Sequence, residues 1–103
     1  MTIKGANQSK YPYNLFDHIV GERIRELRKE NKMTIDQFAE KTDLSNKTIS
    51  NYENGKNTIT IPSLINIYKA FDSHFNDVNE VFIALVYPAY KETQEEHPTD
   101  DIL

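Results

Sequence analysis

Residues 41–56, KTDLSNKTISNYENGK, decide the fold, because they hold a helix break, a helix start and a helix stop in close succession. Asp43 and Leu44 interrupt an amphipathic pattern, Ser45 is a favoured N-cap, and Gly55 offers the left-handed residue that ends helices. The helix between them, running to Asn54, has two unlike sides. At 100° per residue, Asn46, Ser50, Asn54, Lys47 and Asn51 fall within about 140° of each other, while Ile49 and Tyr52 lie opposite and Thr48 sits at the margin.

Upstream, Thr34 is a good N-cap, and Ile35, Phe38, Ala39 and Thr42 share one face of a short second helix. The gap to the next helix is about three or four residues, the length of a helix-turn-helix corner. Further upstream, Phe16, Ile19/Val20, Ile24 and Leu27 recur at helical spacing from Leu15 and give a first helix ending near "ENK". Asn14 suits its cap, with Asp17 in the first turn, and Gly21 leaves a later start open. Downstream of the loop "KNTIT", Thr60 caps a fourth helix with Pro62 in its first turn and Ile61, Leu64, Ile65 and Tyr68 as its buried stripe. A fifth helix from about Phe75 puts Val78, Val81, Phe82, Leu85 and Val86 on one face and stops at Pro88. Because "FIALVY" is rich in β-branched and aromatic residues, a strand over 81–87 is the alternative there.

The sequence thus divides into an arm (1–14), a core domain (15–90, with the corner at 34–54) and an acid-rich tail (91–103) whose composition favours disorder. The expected architecture is all-α, five helices around one core. A chain of 103 residues with 38% hydrophobic content supports one such core. The net charge of −4 argues weakly against a nucleic-acid partner until its distribution is read. Residues 1–20 and 21–56 each carry +1, and 57–103 carry −6, with five of those acids between Glu92 and Asp101.

Other chemistry finds little support. Cysteine is absent, so neither a disulfide framework nor a thiolate site is available. His18, His74 and His97 lie in different elements without metal-ligand spacing, so no metal site is expected. Glycine stands only at positions 5, 21 and 55, which leaves no phosphate-cradling loop. The sequons "NQS" and "NKT" count only in a secreted protein. No apolar run reaches membrane-spanning length and no secretory signal opens the chain, so a soluble, cytoplasmic protein is expected, without cofactor and without enzymatic activity.

An apolar inner edge with an amide-rich outer edge is what a major-groove reader requires, since asparagine pairs bidentately with adenine and lysine reaches guanine acceptors. Most polar helix faces are merely solvated, and here the order of the segments shifts the balance. "GERIRELRKENKMT", "IDQFAEKTDLS", "NKTISNYENGK" and "TIPSLINIYKAF", from Gly21 to about Val78, resemble the successive helices of the Cro/repressor-type helix-turn-helix proteins, in the broad group of xenobiotic-response-element-like regulators. The resemblance implies a lambda-repressor-like helix-turn-helix domain that binds double-stranded DNA as a homodimeric transcriptional regulator, typically a repressor on an inverted repeat.

By the same resemblance Asn46, Lys47, Ser50 and Asn51 read bases. Thr34, Thr48, Asn54, Gly55, Lys56 and Thr58 approach phosphate, and Arg28 pairs with Glu53 to join helix 1 to the end of helix 3. Four features depart from the family pattern. Ile35 stands where a phosphate-holding glutamine is usual, Asp43 replaces the turn glycine, the loop "NTIT" lacks cations, and the arm and tail lie outside the match. The apolar surface of helix 5, through Val81, Phe82, Leu85, Val86 and Tyr87, is the expected dimer contact. Tyr11, Tyr13 and Phe16 could stack on bases, with packing the simpler role. The alternative function is an antitoxin-like or anti-effector module that engages a partner protein through helix 5 or the tail.

Overall fold

Local capping chemistry sets where the helices begin. In the computed structural model, which describes residues 14–96, α1 spans Leu15–Glu30 and Asn14 accepts the Asp17 N–H at its start. Helix α2 (Ile35–Thr42) opens on a reciprocal capping box, Thr34 accepting from the Gln37 N–H while Gln37 Oε1 accepts from the Thr34 N–H. Helix α3 (Asn46–Glu53) is capped by Ser45 and α4 (Ile61–Ala70) by Thr60, with Pro62 in its first turn. Helix α5 (Val78–Leu85) starts three residues later than the periodicity suggested, because Asp77 caps it. No strand occurs among the described residues, so the β alternative for 81–87 is replaced by helix.

Helices α1 and α2 end on backbone hydrogen bonds closed around left-handed residues. After α1 the Met33 N–H reaches the Arg28 carbonyl across Lys32, φ 58°. After α2 the Leu44 N–H reaches the Ala39 carbonyl across Asp43, φ 59°. Aspartate enters this region more readily than most residues, which is how it replaces a turn glycine.

The helix boundaries on the C-terminal side differ from those expected. Pro88 does not end the helical path: α6 covers Tyr87–Glu96, after a break at Val86. Proline has no N–H and its ring would collide with the carbonyl four residues back, so it interrupts α5 yet fits the first turn of a new helix. Among the described residues the chain is all-helical, as expected, with six helical segments where five were drawn, and the boundary drawn at residue 91 falls inside α6. The arm through Tyr13 and the tail from His97 lie outside the described residues.

Helix α1 is central, packing against α3, α5 and α6, while α2 packs on α3 and α4. Ile24, Phe38, Ile49, Ile67, Val81 and Ala89 are fully buried, and the Phe38 and Phe71 rings stack at 5.5 Å. The buried stripe of α4 is Leu64, Ile67 and Phe71 at its C-cap. Ile61 and Ile65, expected inside, are 65% and 38% exposed. This segment is apolar on several sides, so periodicity fixes that it is a helix and not which stripe faces inward.

Candidate nucleic-acid interface

Helix α3 is a short helix held at every corner by side chains from elsewhere. Its inner edge inserts Ile49 into the core. Tyr52, also buried, shares a 2.8 Å hydroxyl–hydroxyl hydrogen bond with Ser63 of α4. Glu53, only 3% exposed, receives Arg28 in a bidentate clasp, Nε to Oε2 at 2.7 Å and Nη2 to Oε1 at 2.9 Å. Arg28 also donates to the Met33 carbonyl at 3.0 Å. A buried carboxylate needs such a partner, because an uncompensated charge in a low-dielectric site is strongly destabilising. The Arg28 guanidinium is held above its ordinary pKa, chiefly by the hydrogen bond to Glu53.

Arg25 is a second partner that the sequence reading missed. Its Nε lies 3.3 Å from Glu53 Oε1 and its Nη2 donates to the Glu53 carbonyl. It stands three residues before Arg28 on the same side of α1, and that spacing was the available signal. Gly21 lies within α1 and is buried. Its role is not a helix start: a Cβ there would collide with the Tyr52 carbonyl, so the residue permits α1 and the end of α3 to touch.

The C-terminal end of α3 closes as a Schellman motif. The Lys56 N–H bonds the Asn51 carbonyl at 2.8 Å and the Gly55 N–H bonds the Tyr52 carbonyl at 3.0 Å, with Gly55 at φ 71°. The Asn54 N–H likewise bonds the Ser50 carbonyl. The backbone donors of Asn54 and Gly55, expected to approach phosphate, are thus engaged inside the helix end.

On the outer face Asn46 and Lys47 are exposed, and Ser50 and Asn51 are half-buried. Asn54 Nδ2 donates to the Ser50 carbonyl at 2.9 Å and to Ser50 Oγ at 3.3 Å. Asn46 Nδ2 donates to Asp36 Oδ1 at 3.0 Å, a bond from the first residue of α3 to the first turn of α2. Of the expected phosphate-side residues, Thr34 is the α2 cap. Thr48 accepts from the Ser45 hydroxyl at 2.8 Å, and Thr58 donates to Asp17 Oδ2 at 2.9 Å. That last bond places a carboxylate beside a residue expected to meet phosphate. From Ser45 to Thr60 the cations are Lys47 and Lys56, both exposed.

Of the expected dimer residues, Val81, Leu85 and Val86 are buried in the protein's own core and are withdrawn as contacts. The apolar surface that remains is Phe82 and Tyr87 from that set, with Ile83 and Tyr90 beside them, all between 44% and 57% exposed. The Tyr87 and Tyr90 rings stack at 6.2 Å.

Two short helices joined by a three-residue turn, the second anchored inward and polar outward, define a helix-turn-helix unit. The comparisons agree: the helix-turn-helix domain family matches residues 21–74, just over half the chain, and the chain belongs to that family. Among solved structures it is similar to the clp gene regulator ClgR from Corynebacterium glutamicum, with a TM-score of 0.59 and 21% sequence identity, over 82% of this chain and 87% of that one. At that identity the likeness is one of fold. No curated protein matches the chain.

Proposed function

We propose that the protein is a sequence-specific DNA-binding transcriptional regulator, a cytoplasmic repressor that places α3 in the major groove and binds an inverted repeat as a homodimer. The observation that carries this reading is the division of α3. Ile49, Tyr52 and Glu53 fix it to the body, while Asn46, Lys47, Ser50 and Asn51 face away from the core with the donor and acceptor groups that base edges require. The exposed aromatic surface at Phe82, Tyr87 and Tyr90 supports a two-fold partner, which would space two α3 helices about 34 Å apart, one turn of DNA.

Selection from random duplexes at a series of salt concentrations tests the proposal. A palindromic consensus is expected. Failure to enrich any duplex at low salt would refute it.

The exposed apolar surface of α5 and α6, together with only two cations along α3 and its following loop, favours a second reading. In it the chain is a module for a partner protein, and the helix-turn-helix is secondary. A partner retained in high salt, with no DNA retained in low salt, would promote that alternative.

A further inference from the structure

The bond between Asp36 and Asn46 joins the first turns of α2 and α3 on the exposed surface. Both residues are exposed, neither caps a helix, and the α3 cap is supplied by Ser45. The helix dipole explains an acid in the first turn of α2, because negative charge is favoured at a helix N-terminus. It does not explain why that acid receives the amide of the first residue of the outward face, 3.0 Å away.

We infer that Asp36 is a positioning residue for sequence readout: by accepting the Asn46 side-chain N–H, it fixes the direction in which Asn46 presents its amide oxygen and so selects adenine over guanine. The inference rests on α3 being a major-groove reader. An ionised carboxylate only accepts hydrogen bonds, so the amide must turn its nitrogen toward Asp36. The reversed amide would set two acceptors against each other.

Asn46 Oδ1 is thereby left to accept from a base, and the second N–H is left to donate. That pair matches adenine, whose N6 amino group donates and whose N7 accepts. Guanine presents O6 in place of the amino group, which would meet Asn46 Oδ1 acceptor to acceptor. The negative charge of Asp36 beside that edge adds to the discrimination, since guanine N7 and O6 are both electron-rich. With Ile35 unable to hydrogen-bond through its side chain, Asp36 is the residue of the first α2 turn that reaches Asn46.

The test compares the intact chain with Asp36→Asn, Asn46→Ala and the double variant, by selection from random duplexes and by binding to duplexes that differ at one base pair. Asparagine at position 36 can donate as well as accept, so it releases the amide to turn over. Asp36→Asn is expected to erode the preference for adenine over guanine at one base pair by about tenfold, within the range a bidentate base contact supplies. In the Asn46→Ala background the same change is expected to do nothing at that position.

An equal gain in affinity for every duplex would overturn the inference, as would the same base-pair shift in the absence of the Asn46 amide. The Asn46 side-chain amide resonances of the free protein separate the two layers of the argument. If Asp36→Asn moves them while the wild-type chain selects no duplex, the bond exists and DNA reading is what fails. If they do not move, the positioning itself is wrong, whatever the chain binds.

Discussion

At the scale of single residues, the backbone is the exacting part of this protein. Gly21 lies where a Cβ would collide with a main-chain carbonyl of α3, and backbone atoms in two packed helices cannot give way as a flexible side chain can. Gly21→Ala is therefore expected to cost at least about 2–3 kcal/mol, the upper part of the range for overpacking, read as a lower urea midpoint. Lys32 presents the opposite case. It holds a left-handed φ of 58° on an exposed turn, a conformation that costs a non-glycine residue about 1–2 kcal/mol. After allowance for the greater freedom of unfolded glycine, Lys32→Gly should stabilise by about 0.5–1 kcal/mol in the same assay. Neither feature is announced by sequence: Gly21 sits mid-helix in a good helical pattern, and lysine has no special preference for left-handed turns.

At the scale of elements, the decisive unit is α3 and its grip on α1. Glu53→Gln should remove most of the pairing and leave Arg28 half-buried without its charge partner, a loss of about 3–5 kcal/mol for a buried pair. Glu26→Gln should change stability by less than about 0.5 kcal/mol, because its pair with Arg23 lies on an exposed helix surface. Urea denaturation of the two variants side by side tests that contrast. The raised pKa of Arg28 means that its contribution is present below the ordinary arginine range and lost only as pH climbs past it, so the guanidinium remains charged throughout the physiological range. Much at this scale was legible in sequence. Asn14, Thr34, Ser45 and Thr60 cap helices through bonds reaching only three residues, so the information is local. The inward stripe of α4 and the continuation into α6 were not, because the first is chosen by distant packing partners and the second hid under acidic composition and a proline. Likewise the face of α3 could be placed from its periodicity, whereas Asp36 and Arg25 enter through bonds that no spacing within α3 encodes.

At the scale of the whole molecule, cations are sparse on the α3 surface and its loop, while apolar side chains are exposed on α5 and α6. With Lys47 and Lys56 as the cations of the α3 surface and its loop, a dimer would neutralise about four phosphates through them, and the salt dependence of log K on log salt should have a slope of about −4 or shallower. A titration of DNA affinity against potassium chloride measures it. On the proposed two-fold assembly, Phe82→Glu, at an exposed site outside the core, should leave the monomer folded yet shift it away from a dimer in sedimentation and weaken palindrome binding relative to a half-site. The Schellman closure at Gly55 and Lys56 and the double-arginine clasp on Glu53 carry one more consequence, for the heat of association. On the proposed function, a helix already fixed in the free protein has little left to order when it binds, so calorimetry on a selected duplex should show a modest negative heat-capacity change, accounted for by the surface brought together, without the larger change that accompanies coupled folding.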